Sequence, residues 1–373
     1  MLNFIDDLLN KITVYRLTLY YLTALFLAAV GFSAWGILPY NPYALVISAF
    51  IVLLTCLVIN IIFASVFGAS PRAESVYITA FILILIITPP LVENYLPNIS
   101  FLLWASVWAM ASKYIFAVGK KHIFNPAAFA VALTAVTLNE SASWWVSSIY
   151  LAPLTAVGGL LILRKLRRFD LAASFLIIAV PTILGFIFFK SGDLVGASQK
   201  ALFYSPLLFF TFIMLTEPMT TPPTKISRIW YGGLVGFLFA PSIHIGSFYS
   251  TPELALIVGN IFSYLARNVL LFMAAAKNET IAKIKQRMPS APDIIAILLF
   301  LGLAGGVAAA VGPLERLFSL SSSGDESREI PGPSMTAPPA ESPPKSGETK
   351  QNAPMRQIIP RFDDNDEEEE DDD

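Results

Sequence analysis

Two short stretches of this chain carry residue types that can do chemistry at the end of a helix. The first reads Lys120-Lys121-His122-Ile123-Phe124-Asn125-Pro126-Ala127. Pro126 suits the first helical position and Asn125 the cap before it. Free backbone N–H groups and the positive end of the helix dipole then face whatever lies ahead. Lys121 adds charge, so the pattern predicts an anion site shaped by Asn125 and Pro126. The competing reading is an ordinary helix start beside a basic loop. The second stretch, Phe209 to Lys225, reads FFTFIMLTEPMTTPPTK. Here an apolar helix breaks into Thr216, Glu217, Pro218, Thr220, Thr221, Pro222 and Pro223. The three hydroxyls and the carboxylate suit a polar ring edge, a polyol chain or a cation. At membrane depth such a backbone survives only inside protein or along a cavity, and Glu217 would there be a functional residue. At the membrane interface it would be only a helix-end residue, and the sequence leaves both readings open.

The elements that must position these stretches repeat. Phe67-Gly68-Ala69-Ser70 leads into an apolar run ending at Thr88-Pro89-Pro90. Val195-Gly196-Ala197-Ser198, 128 residues later, leads into another ending at Thr216-Glu217-Pro218. Asn125-Pro126-Ala127 returns as Thr251-Pro252-Glu253, with the register slipping by two. Eleven apolar crossings are expected, roughly 17–38, 43–65, 75–90, 101–118, 124–138, 145–163, 171–189, 201–216, 230–247, 253–275 and 292–313. The third, fifth and eighth are short, as helices that break before crossing would be. The segments on one side hold 16 Lys/Arg, and the opposite short loops hold only Lys190 and Lys200. That bias places the N-terminus in the cytoplasm. The two copies, about 43–138 and 171–275, then lie inverted in the membrane, and sites in such proteins form where the broken helices meet.

Composition sets the class. Of 373 residues 55% are hydrophobic and 14% charged, so the chain reads as an all-α polytopic membrane protein whose first partner is the lipid bilayer. A nucleic-acid partner is not expected. Residues 1–16 form a cytoplasmic N-terminus without the pattern of a cleavable signal, and 17–313 the transmembrane domain. Residues 1–313 carry 19 Lys/Arg against 11 Asp/Glu, a net of +8, while 314–373 carry 6 against 16, a net of −10. That Pro/Ser-rich acidic tail cannot bury a core and is expected to be disordered. Cys56 is the one cysteine, and His122 and His244 the only histidines. A self-contained iron–sulfur cluster needs about four thiolates, so it is excluded. Ser143-Trp144-Trp145 reads as an interfacial aromatic belt. Gly158-Gly159 and Gly232-Gly233 read as places of close helix approach, as do the two Gly-Ala-Ser turns.

At KHIFNPAAFAVAL and LTEPMTTPPTKISRIWYGGLVG the chain resembles the RnfD/NqrB family. These are membrane subunits of the Rnf and sodium-pumping NADH:quinone oxidoreductase complexes. The resemblance covers roughly residues 17–275, with Glu217 standing where the family's Thr-Asp-Pro-x-Thr-x-Pro stretch has Asp. It implies about ten helices in two inverted halves, similar in fold to urea transporters. It also implies flavin, electron transfer, and coupling to Na⁺ or H⁺ movement. Family members attach FMN to a Thr in a Ser-Gly-Ala-Thr loop between the fifth and sixth helices. This chain has only Leu138-Asn139-Glu140-Ser141-Ala142-Ser143 there. Ser198 is the nearest candidate for a covalent flavin, in a later loop, and its turn is read instead as structural.

The resemblance therefore implies a shortened member that binds FMN or riboflavin without a covalent bond, in the cytoplasmic membrane. Asn125, Pro126 and Lys121 would form the helix-start site, and Thr216, Glu217, Thr220 and Thr221 the polar contacts. The NADH-oxidising or iron–sulfur parts would be separate proteins. The alternative is a redox-silent channel or permease for a small polar solute on the same fold. A third reading is an assembly subunit that uses its acidic tail to bind a partner.

Overall fold

The computed structural model describes residues 6–7, 9–70, 73–90, 95–119, 121–191, 195–196, 198–199, 205–240, 244–245 and 248–277. The expected crossing at 292–313 and the acidic tail lie outside them. The described chain is helical: α1 (Val14–Ala34), α2 (Pro42–Val66), α3 (Ala73–Ile86) and α4 (Tyr95–Ile115) come first. A hairpin of β1 (Ala117–Val118) and β2 (Lys121–His122) leads into α5 (Pro126–Thr137). Next come α6 (Ala152–Leu166) and α7 (Phe169–Ser191), then α8 (Leu207–Phe209), which runs on as a π-helical turn (Phe210–Met214). α9 (Lys225–Leu238), a hairpin of β3 (His244–Ile245) and β4 (Phe248–Tyr249), and α10 (Pro252–Lys277) complete the order.

This is a membrane protein by the way its helices are dressed. Among the described residues Val14–Ala34, Pro42–Val66 and Phe169–Phe189 are long and apolar enough to cross a bilayer. α2 turns Phe50, Leu54, Val58 and Ile61 outward while burying Ser48, Cys56 and Asn60. Only a hydrocarbon solvent makes that arrangement favourable. α2 packs on α3 and α4, and α4 on α5; α7 packs on α9, and α9 on α10; α5 and α10 meet each other.

α3 and α5 are short apolar helices of 14 and 12 residues. α3 is apolar all round, and Ile82 through Ile87 are all buried, as such a helix must be. Its last carbonyls would be orphans. The segment 143–146 takes them up: Ser143 N and Trp144 N each donate to Ile86 O at 2.9 Å. Val146 N reaches Leu85 O at 3.2 Å, and Trp145 Nε1 reaches Ile84 O at 2.8 Å. The expected belt of Trp144 and Trp145 is thereby corrected. Both rings are buried, and Trp144 Nε1 donates to the buried Glu253 at 2.7 Å. α6 accordingly begins at Ala152, seven residues later than the hydropathy pattern suggests.

The glycines divide by role. A Cβ on Gly158 or Gly159 would fall about 2 Å from the rings of Tyr21 and Phe212, so both permit the close approach expected. In the second pair only Gly232 does so, against Leu171 O and Ser174. Its working partner is Gly236, against Phe175 O, whereas Gly233 faces nearly open space. The spacing of four puts both contact glycines on one face of α9, against α7. Gly68 corrects the reading of its Gly-Ala-Ser turn as a packing site. It has φ +59°, and a Cβ added there would meet nothing. Ala69 N returns to Ala64 O at 2.9 Å. Gly68 thus ends α2 as a left-handed stop.

Candidate functional site

Asn125 is the hub of a buried polar chain at the start of α5. Its side-chain oxygen accepts from Ala128 N at 3.0 Å, closing the first turn behind Pro126. Its backbone N–H donates to Asn260 Oδ1 on α10 at 2.8 Å. Its amide Nδ2 donates to Glu217 Oε2 at 2.9 Å. The other carboxylate oxygen of Glu217 lies 2.9 Å from His122 Nε2. Asn260 Nδ2 in turn donates to Tyr231 OH on α9 at 3.0 Å. The order is His122–Glu217–Asn125–Asn260–Tyr231. His122, Asn125, Tyr231 and Asn260 are buried, and Glu217 keeps 21% of its side chain exposed.

Local structure explains each placement. In the β1–β2 hairpin Ala117 faces His122 and Val118 faces Lys121. Gly119 turns the chain with φ +65°. Alternation along the strand then sends neighbouring side chains to opposite sides, so His122 goes inward and Lys121 is exposed. On the other side, the helix carrying Glu217 loosens before it breaks. Leu215 N reaches back five residues to Phe210 O at 2.9 Å. Thr211 and Thr216 turn their hydroxyls onto Leu207 O and Phe212 O at 2.5 and 2.6 Å. Thr220 N and Thr221 N then fold onto Glu217 O at 3.3 and 3.2 Å. Pro218, Pro222 and Pro223 bar any return to a helix.

Most of the expected site residues converge here. Asn125, Pro126, Thr216 and Glu217 line one cavity of about 40 Å³, room for about one water molecule or a bare ion. Thr220 Oγ1 lies 3.5 Å from Glu217 Oε2. Thr221 keeps a buried hydroxyl without a partner among the described residues. Lys121 stands outside this cluster. Ser198, half-buried in the stretch 195–199, lines neither this cavity nor the larger one beside it. The group facing the start of α5 is the protein's own Glu217 carboxylate.

The larger cavity, about 970 Å³, shares Tyr15 and Ser75 with the small one and reaches His122 and Met219. Its polar wall is held in place: Lys113 Nζ donates to Ser75 O at 2.7 Å and lies 3.1 Å from Ser75 Oγ. Tyr114 OH donates to Asn60 Oδ1 at 2.7 Å. Phe67, Tyr114 and Phe116 are its aromatic wall, backed by Phe63 against Phe67 and Tyr114 at 6.0–6.1 Å between centroids and by Phe124 and Phe129 against Phe116 at 4.9–5.4 Å. His122 and Tyr231 lie within the two motifs without standing out as site residues, and Lys113 and Asn260 lie outside them. In the sequence Lys113 is only one more charge in the orientation bias. Asn260 carries a usable signal, an uncharged amide inside an apolar helix.

No family model matches the chain. Over 123 residues it is 30% identical to one of the subunits of the ion-translocating oxidoreductase complex of Citrobacter koseri, a match covering 32% of this chain and 33% of the relative. The chain thus matches about a third of the length of that curated relative, a protein named as one component of a larger oxidoreductase complex.

Proposed function

We propose that this protein is a membrane electron-transfer subunit of an ion-translocating oxidoreductase complex, seated in the cytoplasmic membrane with its N-terminus inside. The observation that carries this reading is the 970 Å³ cavity beside the helix break. Its size falls in the range of about 300–1,000 Å³ that buries a cofactor-sized ligand. The rings of Phe67, Tyr114 and Phe116 on its wall suit a flat ring system. Lys113, Tyr114 and His122 supply donors suited to a ring carbonyl, a polyol or a phosphate. These features fit FMN or riboflavin held without a covalent bond. The 40 Å³ cavity at Thr216–Glu217 does not admit a flavin ring, so the Thr-Glu-Pro break would border the cofactor rather than enclose it. A bound flavin would supply one- and two-electron chemistry. The residues of this chain would hold it, exclude lipid, and keep the Glu217 carboxylate bonded at the start of α5.

Two inverted halves are part of the proposal. Their support is the repeated order of elements, since a hairpin precedes a Pro-started helix twice, at Pro126 and Pro252. The packing also repeats, α2–α4–α5 in one half and α7–α9–α10 in the other. NADH-oxidising and iron–sulfur proteins are the expected partners, and Na⁺ or H⁺ the coupled ion.

The test is an absorbance and fluorescence spectrum of the purified protein in detergent, repeated on a denaturing gel. Flavin fluorescence that leaves on denaturation is the expected result. Fluorescence that stays with the band would mean covalent flavin and would move the site to Ser198. Protein left colourless after incubation with FMN and riboflavin would end the flavoprotein reading. It would favour a channel or permease for a small polar solute, a reading supported by the two adjoining cavities at the break and checked by solute flux into liposomes.

A further inference from the structure

A second concavity, of about 510 Å³, lies away from the break, where the start of the chain meets the end of α6 and the starts of α7 and α9. Five of the residues lining it are cations: Arg164, Lys165, Arg167, Lys225 and Arg228. Two carboxylates offset part of this charge. Asp6 takes Arg164 in a two-pronged bond of 2.7 and 2.8 Å. Asp170 takes Arg228 at 2.7 and 2.9 Å. Among the described residues Lys165 reaches Asn10, at 3.5 Å. Among the described residues none of Lys165, Arg167 and Lys225 forms an ion pair. Among the described residues lining it, the hollow therefore has three more positive than negative charges, and the two ion pairs tie its walls together.

What lies below the hollow decides the occupant. From Lys225, α9 runs away with Ile226, Ile229, Trp230 and Phe237 exposed at helical spacing, Trp230 at 69%. Phe169, on the rim, is half-exposed. A free phosphate would use the charges alone and touch none of this apolar stripe. A phospholipid uses both, with its headgroup in the hollow and its acyl chains along α9. The Lys/Arg bias assigns this end to the cytoplasmic side, where anionic lipids attract basic surfaces.

We propose that this hollow is a binding site for the headgroup of an anionic phospholipid, gripped by Lys165, Arg167 and Lys225. The test measures binding of short-chain phosphatidylglycerol and phosphatidylcholine to the delipidated full chain in a nonionic detergent. It compares wild type with the triple variant Lys165→Gln/Arg167→Gln/Lys225→Gln. Among the described residues none of the three is in an ion pair, so the variant should keep its fold, and an unchanged thermal transition checks this. The expected result is preference for phosphatidylglycerol, weakened by added salt and by roughly tenfold to a hundredfold in the variant. Equal binding of the two lipids, or a variant that binds phosphatidylglycerol like wild type, would overturn the proposal. Competition by inorganic phosphate as strong as by the lipid would show recognition of a free anion and also overturn it. Wild type that binds only after removal of residues 314–373 would make the acidic tail the occupant instead.

Discussion

Asn125 makes three bonds with one side chain and one backbone N–H, and each reaches a different element. Removing one partner strands a buried donor, which costs about 1–3 kcal/mol. Asn260→Ala should therefore lower stability by about that amount, read as a fall in the thermal unfolding temperature in detergent. Glu217→Gln keeps one acceptor and should cost less than Glu217→Ala. The Asp6–Arg164 pair gives a pH dependence. The hydrogen bond from Arg164 holds the Asp6 carboxyl below its ordinary value of 3.8. A lowered acid stabilises the fold in full above that ordinary value, and the contribution is lost as pH falls through the lowered one. Hydrogen exchange at the start of α1, corrected for its intrinsic rate, should stay slow from neutral pH to about pH 5 and quicken in stronger acid. Asp6→Asn should remove that difference. At this scale the sequence discloses what is local. Capping by Asn125 and the break at Thr216–Glu217 depend on neighbours a few residues away. Asn260 lies 135 residues from Asn125, and no short-range pattern marks that pairing. His122 is inconspicuous beside Lys121, where charge draws attention while strand alternation decides which residue turns inward.

Among the elements, the broken helices are legible in the sequence and their partners are not. Proline and a run of threonines announce a break. What satisfies the freed carbonyls is a matter of three-dimensional neighbours, and Trp144 and Trp145 go to that task instead of the membrane interface. Glycine pairs are legible only as pairs. Adjacent glycines face different directions on a helix, so Gly232 finds its partner one turn on. Gly236→Val should push a side chain into Phe175 O, at 2.6 Å from the Cβ position, and separate α7 from α9. Overpacking costs typically about 1–3 kcal/mol, so the thermal transition should fall clearly. Gly233→Val, turned toward nearly open space, should change it little.

For the whole molecule, the packing of α5 on α10 joins residues far apart in sequence. α10 is held at two levels, Glu253 by Trp144 in the segment that caps α3 and Asn260 by Asn125 at the start of α5. The two α10 residues are seven apart, about 10 Å along the helix. Stability losses from Trp144→Phe and Asn260→Ala should therefore add. Losses from Glu217→Gln and Asn260→Ala should not, because both act through Asn125. Thermal unfolding of the singles and doubles checks both statements. The general class of the fold is readable because a chain dissolved in lipid must be apolar outside and short of charge throughout. The site's true extent is not, because the large cavity is walled by Lys113, Tyr114 and Phe116, whose types are ordinary for the end of a membrane helix.

The capping of α3 by residues 143–146 also sets a timetable for biosynthesis. Ser143 Oγ and its backbone reach a carbonyl 57 residues upstream. At roughly 5–20 residues per second, the ribosome needs about 3–11 s to make that stretch. Throughout this interval the end of α3 has no permanent partner and must be sheltered by water, lipid headgroups or the insertion machinery. Chains stalled near residue 140 should leave the end of α3 open to water-soluble labels, and chains stalled beyond about residue 190, with 143–146 clear of the ribosome, should close it.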